Sequence, residues 1–266
     1  MFKQRLLSGI ILLAIMISAV VYGGDVLFAL IVIISFIGLM ELYRVLNIHK
    51  TIIGLLGYLT SFTFDILLYW KQEQYIFMVI IIFLLLIMAS YVICYPKFNS
   101  EHITLVFFGV FYVSIMLSYL YSVRILEGGL YLIWLIFIGA WGSDTCAYCV
   151  GVLFGKHKLP SQLSPKKSIE GCIGGVIGAA LIGFIFATLF GSKIEGIDNI
   201  QISFALIGGA ASIISQIGDL AASAIKRNHG IKDYGKLIPG HGGILDRFDS
   251  IIFTAPIVYY LIDLMK

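Results

Sequence analysis

Nine apolar runs divide this chain, at roughly residues 6–22, 26–46, 52–69, 75–95, 103–121, 129–153, 172–190, 202–225 and 251–264. About twenty apolar residues in a helix cross the ~30 Å of hydrocarbon in a bilayer. With no water there, the backbone must satisfy its own hydrogen bonds, which restricts such runs to helices. The sequence therefore predicts an all-α, polytopic integral membrane helix bundle of about nine transmembrane helices. The first and last runs are the shortest. Only 12% of the 266 residues are charged, against roughly 25% in soluble domains. Two regions are expected: N-terminal transmembrane helices over 1–128, and a chemistry-bearing transmembrane region over 129–266 with loops 154–171 and 226–250. Lys3 and Arg5 before the first apolar run mimic a signal peptide, but the many spans that follow favour a retained helix.

Loop charges orient the spans. With a cytoplasmic N-terminus and nine spans, 14 Lys and Arg residues fall on the cytoplasmic side and 4 on the other. This is a positive-inside asymmetry. It places loops 154–171 and 226–250 together on the cytoplasmic face, where nucleotides and metabolic phosphates are found. Cys94, Cys146, Cys149 and Cys172 lie in or beside apolar runs and read as small buried apolar residues.

The charge is concentrated between Asp219 and Asp249, which holds nine of the chain's 33 Asp, Glu, Lys and Arg residues. Carboxylates there can hold a divalent cation, and Lys and Arg can hold phosphate. Gly235, Gly240, Gly242 and Gly243 let the backbone approach a ligand closely. The eighth run carries Ser212, Ser215, Gln216, Asp219, Ser223 and Lys226 at spacings of three or four, which stacks them on one helical stripe. Hydrogen bonds between helices explain the serines and the glutamine but explain Asp219 poorly. Asp144, in WGSDTCAY, sits inside the sixth run, where a bare carboxylate is costly and a functional role is the default reading. Gly174 and Gly178 form a small-xxx-small pair suited to close helix packing.

The loop after the sixth run, GKHKLPSQLSPKKSIEG, carries Lys156, Lys158, Lys166 and Lys167. Pro165 and the residues after it are expected to open a short helix whose N-terminal amides favour anions. A plain topology signal, or contact with anionic lipid, explains the charge equally well.

The second loop resembles the signature of the phosphatidate cytidylyltransferases, or CDP-diacylglycerol synthases. The elements are Ser223, Lys226-Arg227, Lys232-Asp233, the Pro239–Gly243 turn PGHGG, and Asp246-Arg247-Phe248-Asp249. SDTxAY from Ser143, SPKKSxEG from Ser164 and Gly218-Asp219 also look like this family, with Ser168 where the family often has Thr. The resemblance covers residues 139–256. The spans before it match only in being apolar.

The resemblance implies transfer of cytidylyl from CTP to phosphatidate, giving CDP-diacylglycerol and pyrophosphate, with dependence on Mg2+. On that reading Asp219 and Asp246 are the first metal ligands, and Asp144 and Asp249 are spare carboxylates for a second cation. Lys226, Arg227 and Arg247 hold phosphates, and His241 donates to a phosphate or protonates the leaving group. Asp233 belongs to the same catalytic group. Lys166 and Lys167 bind CTP phosphates or the lipid headgroup. Ser143, Asp144, Ser223, Lys232, Gly242 and Gly243 complete the substrate-binding set. The partners expected are CTP, bilayer phosphatidate and membrane lipids. No nucleic acid is expected, and a homodimer is compatible. The location implied is the inner (plasma) membrane. A related cytidylyltransferase acting on another lipid phosphate is the alternative. A secondary transporter fits poorly, because the chemistry is confined to one half of the chain and one face.

Overall fold

The computed structural model describes residues 2–159, 163–165 and 167–266, so Lys166 lies outside the described residues. Each apolar run becomes a helix. Among the described residues these are α1 (Phe2–Tyr22), α2 (Gly24–Val45), α3 (Ile52–Tyr69), α4 (Glu73–Ile93), α5 (Ser100–Ile125), α6 (Gly129–Phe154), α7 (Ile169–Lys193), α8 (Ile200–Asn228) and α9 (Leu245–Leu264). Seven of the nine, α2 to α8, are long and apolar enough to cross a membrane. In α1 the apolar stretch is only Leu6–Tyr22. α9 takes in Asp246, Arg247 and Asp249 at its start. Large apolar side chains such as Leu85, Ile177 and Leu206 are exposed along these helices, an exterior that hydrocarbon covers and water would not. The protein is an all-α, polytopic membrane protein.

Local chemistry fixes the helix ends. Thr51 caps α3 by accepting the Gly54 N–H at 3.1 Å, and Ser168 caps α7 by accepting the Gly171 N–H at 3.1 Å. Asn99 and His102 form a reciprocal capping box at α5. These side chains satisfy N–H groups that a helix start leaves without partners. α6 contains a π-helical turn at Ile138–Gly142 directly before Ser143 and Asp144. Such turns often accompany functional sites.

The chain divides into two compact units. The first holds Met1–Ala19, Gly24–Ser118 and Asp233–Arg247. Its interior includes Tyr43, fully buried, whose hydroxyl donates to the Val106 carbonyl at 2.7 Å. Gly57 and Gly109 press against the Tyr43 ring, where a Cβ would collide with it. The second unit holds Val20–Gly23, Tyr119–Lys232 and Phe248–Lys266. Here glycines bring helix backbones together: a Cβ on Gly208 would fall 2.7 Å from the Ala179 carbonyl oxygen. Gly174 and Gly178 receive the Val150 and Cys146 side chains of α6, which is a packing role.

Three expectations need correction. The charged loops are shorter than the apolar pattern suggests, because α8 runs on to Asn228 and α9 starts at Leu245. Lys226, Arg227, Asp246, Arg247 and Asp249 therefore sit on helical turns. Among the described residues no helix opens at Pro165. The Lys167 N–H closes a turn onto the Ser164 carbonyl at 3.1 Å, and Ser168 is the cap from which α7 starts. The cysteines are free, but Cys149 is exposed and the other three are half-buried, more open than an apolar core residue. Cys146 and Cys149 line an apolar groove between α6 and α7.

Candidate active site

Within the second unit, α6, α7, α8 and the α6–α7 connection surround a cavity of about 660 Å³. α6 supplies Asp144, Tyr148 and Gly151, α8 supplies Gln216 and Asp219, and the connection supplies Lys158, Lys167 and Ser168. The Lys167 ammonium stands 2.6 Å from Asp219 Oδ2, and both side chains are partly exposed, at 26% and 30%. A lysine has three donors, so one carboxylate oxygen leaves it capacity for a ligand.

The connection is short but ordered by its own hydrogen bonds. Lys158 and Ser168 pair as an antiparallel bridge. The Leu159 N–H donates to the Lys167 carbonyl at 2.9 Å, and the Ile169 N–H donates to the His157 carbonyl at 2.9 Å. The His157 ring lies 2.6 Å from Glu170 on α7. This ladder carries both lysines to the cavity. Gly151, Gly155 and Gly171 close around the Ser168 hydroxyl, where added Cβ atoms would lie 3.2, 2.7 and 3.0 Å from Oγ.

The polar stripe of α8 divides in two. Ser212 Oγ lies 2.6 Å from Ser143 Oγ, and both residues are fully buried. Gln216 donates to the Cys172 carbonyl of α7 at 3.1 Å. This inner half joins helices. Asp219 reaches the cavity, and Ser223 and Lys226 continue the stripe half-buried. Arg227 and Lys232 are exposed. Arg227 Nη1 donates to the Ile231 carbonyl at 3.3 Å, and the Ile231 N–H donates to the Lys226 carbonyl at 3.0 Å, so this turn closes the end of α8. Asp249, 8% exposed, accepts from the Ser250 N–H at 2.8 Å.

The glycine-rich turn belongs to the first unit. The Ile238 N–H donates to the Gly242 carbonyl at 2.9 Å, and Gly240 and Gly242 have φ of 77° and 88°. L-residues adopt that region only with strain. Asp246 Oδ2 accepts from the Tyr234 and Gly243 N–H groups at 2.8 and 2.9 Å. Glu41 of α2, 2% exposed, accepts from the Ile244 and Leu245 N–H groups at 3.2 and 2.9 Å. A Cβ on Gly235 or Gly243 would land on the Glu41 carboxylate. Ser8 of α1 donates to the Pro239 carbonyl at 3.0 Å and lies 2.9 Å from His241 Nδ1. Asp233 is exposed. Arg247 is half-buried, and its Nε has no hydrogen-bond partner among the described residues.

Sequence reasoning passed over Glu41, Ser8, Lys158 and Gln216 as site residues. Glu41 had a signal: a carboxylate inside an apolar run is a functional candidate in its own right, as is Asp65 of α3, 3% exposed. Ser8 carried none.

No group of three or more His, Cys, Asp and Glu side chains that could hold a metal converges among the described residues. Asp144 and Asp219 nevertheless share one cavity. Mg2+ commonly takes one or two carboxylates and completes its shell with water and substrate phosphates, so this donor set fits a cation that arrives with a phosphate.

A profile of the cytidylyltransferase family matches residues 3–265. The chain is 32% identical over 275 residues to the phosphatidate cytidylyltransferase of Bacillus subtilis (strain 168), covering 99% of this chain and 98% of that one. It is 34% identical over 267 residues to the phosphatidate cytidylyltransferase of Staphylococcus haemolyticus (strain JCSC1435), covering 98% of each. The chain belongs to the cytidylyltransferase family.

Proposed function

We propose that this protein transfers the cytidylyl group of CTP to phosphatidate, releasing pyrophosphate and leaving CDP-diacylglycerol in the membrane. The observation that carries the reading is the Lys167–Asp219 pair in a cavity built from membrane-spanning helices. It is supported by full-length similarity to relatives named for this activity. A lipid phosphate oxygen attacks the α-phosphorus, the bond to the bridging α–β oxygen breaks, and pyrophosphate departs. The nucleophile is already anionic, so the main obstacle is bringing two polyanions together. Lys158 and Lys167 offset that repulsion and orient the phosphates. As a phosphate takes the place of Asp219 at Lys167, the carboxylate becomes available to a cation. Asp219, and Asp144 in the same cavity, would offer oxygens to Mg2+, which when bound would neutralise phosphate charge. Asp246 is proposed as a further ligand on its motif alone. Lys226, Arg227, Lys232 and Arg247 are proposed to hold phosphates, and Asp233, Asp249 and Ser223 to support them.

The distribution of loop charge supports a reaction at the cytoplasmic face of the plasma membrane. No nucleic acid enters the scheme, and a homodimer is compatible with it. The test is purified protein in lipid nanodiscs with phosphatidate and each of the four ribonucleoside triphosphates, with and without Mg2+, scored by pyrophosphate release. Release is expected only with CTP, lipid and Mg2+ together. Release without lipid, or with another nucleotide at an equal rate, would overturn the assignment. Faster turnover of an ether-linked lipid phosphate would move the acceptor instead.

A further inference from the structure

Where α2 ends and α3 begins, the first unit holds a pocket of about 390 Å³, lined by His49, Lys50, Thr51, Ile52, Leu55 and Tyr58. None of these residues lines the cavity of the second unit. The turn that carries them is tied to both helices. The Ile48 and His49 N–H groups donate to the Tyr43 carbonyl at 2.9 and 3.2 Å, and Asn47 has a φ of 59°. Ile48 is fully buried. The Thr51 hydroxyl donates to the Ile48 carbonyl at 2.7 Å while it caps α3. His49 and Lys50 are therefore fixed at the pocket by the turn. Tyr58 is held by its ring, whose centroid lies 5.1 Å from that of Phe36 and 5.3 Å from that of Tyr43. The polar atoms of the pocket are unspent. His49 Nδ1 and the Tyr58 hydroxyl are buried with no hydrogen-bond partner among the described residues, which is costly until a partner is supplied. Lys50 is exposed and makes no ion pair among the described residues, and the same holds for Arg44 in the last turn of α2. The Arg44 charge acts on the Tyr58 hydroxyl. The carboxylate that it also reaches, Glu41, already accepts from the Ile244 and Leu245 N–H groups.

We propose that this pocket binds the phosphate of an anionic membrane lipid. Lys50 and Arg44 supply charge-assisted hydrogen bonds to phosphate oxygens, and the Tyr58 hydroxyl adds a neutral donor. A protonated His49 adds another at Nδ1. Basic pockets between spanning helices are a known mode of holding anionic headgroups. What continues from the pocket selects a lipid over a soluble phosphate. Ile52 and Leu55, which line it, are followed on α3 by Leu59 and Phe62, and all four are exposed. Spacings of three and four place them on one helical face, a run of about 15 Å at 1.5 Å rise per residue. A cationic pocket and an apolar stripe thus meet at the end of a helix long enough to span the membrane. That is the order in which a phospholipid presents its phosphate and its chain, whereas a free phosphate would engage only the pocket. The site goes beyond cytidylyl transfer and needs none of the residues assigned to that reaction.

The test reads Lys50 directly. The full chain is placed in nanodiscs of phosphatidylcholine alone, or of phosphatidylcholine with phosphatidylglycerol, and treated with a water-soluble amine-acetylating reagent. The rate at each lysine is then followed by peptide mass spectrometry. Lys97 is the control, because it is exposed and only α3 and α4 separate its turn from that of Lys50, which brings both to the same membrane surface. Phosphatidylglycerol is expected to slow acetylation of Lys50 about fivefold relative to Lys97. Inorganic phosphate added to phosphatidylcholine nanodiscs is expected to leave the ratio unchanged. In the double variant Arg44→Gln, Tyr58→Phe the protection should fall below about twofold, with the thermal midpoint of unfolding unchanged. Tyr58→Phe alone keeps the ring against Phe36 and Tyr43 and should weaken the protection in part, so it decides the matter if the double variant proves unstable. Equal slowing at Lys50 and Lys97 would leave only a diffuse surface potential and overturn the proposal. Protection that survives these substitutions undiminished would do the same, and equal protection by inorganic phosphate would overturn the choice of a lipid. None of these results would touch the identity of the substrates, which the nucleotide and lipid comparison tests separately.

Discussion

In the glycine-rich turn, Asp246 and Glu41 accept four backbone N–H groups between them and are 5% and 2% exposed. Asp219, in the cavity of the second unit, instead faces the Lys167 ammonium and is 30% exposed. The first arrangement holds a backbone. A buried carboxylate bound to several N–H groups is fixed, and withdrawing it leaves donors without partners. The second arrangement is exchangeable. Asp219 meets one side-chain ammonium rather than several backbone N–H groups, and a lysine has three donors, so an incoming phosphate can take the place of the carboxylate without unmaking a loop. Carboxylates of the same chemical type are thus divided between organising a loop and meeting a ligand, and substitutions should separate the two roles.

The largest effect is expected at the exchangeable pair. Asp219→Asn should lower kcat by at least about 1000-fold, about 4 kcal/mol in barrier terms, with normal insertion and an unchanged unfolding midpoint. Lys167→Gln should cost about 100-fold, and the double variant should be little worse than Asp219→Asn alone, because the two groups act on one phosphate. Additive losses in that cycle would mean that the pair seen here does not work as a unit. A midpoint lowered in proportion to the lost activity would make the pair structural and erase the contrast with the turn.

Asp246 sharpens the comparison because it has both a structural and a proposed ligand role. Asp246→Asn keeps a carbonyl oxygen for the Tyr234 and Gly243 N–H groups and removes the charge. Turnover is expected to fall at least about 100-fold while the unfolding midpoint stays near that of the unmodified protein. Activity within about tenfold, ~1.4 kcal/mol, would confine Asp246 to holding the turn.

Glu41 is expected to show the reverse pattern. Glu41→Ala leaves the Ile244 and Leu245 N–H groups without acceptors, at a cost of roughly 1–3 kcal/mol for each buried group. Its thermal midpoint should drop clearly, while kcat of the folded fraction falls less than about tenfold. A loss of 1000-fold with an unchanged midpoint would move Glu41 from the loop to the reaction.

The helices were legible because hydrophobic run length alone restricts a chain in a bilayer. Their ends were less so, because they depend on capping by Ser168 and on helical turns that continue into charged sequence at Lys226 and Asp246. Asp144, Lys167 and Asp219 each stood out singly, as charges in or beside apolar runs. That they line one cavity could not be read from the sequence, since Asp144 and Asp219 lie 75 residues apart. Glu41 and Ser8 show the opposite failure. The partners described for them lie more than 200 residues away, and no local pattern marks a side chain that serves the turn of another segment.

The smallest expected effect lies at Ser168, and it tests whether the cavity depends on its helix cap. Ser168 is 4% exposed and accepts the Gly171 N–H at 3.1 Å at the start of α7. Replacing such a cap with alanine typically costs about 1 kcal/mol. Lys167 has a second hold, because its carbonyl accepts from the Leu159 N–H in the ladder of the connection. Loss of the cap alone should therefore leave the lysine near Asp219. Ser168→Ala is expected to lower stability by about 1 kcal/mol and to leave kcat within about threefold. A loss of more than about 100-fold, with stability unchanged, would show that the hydroxyl touches substrate and that the connection takes part in the chemistry beyond carrying its lysines.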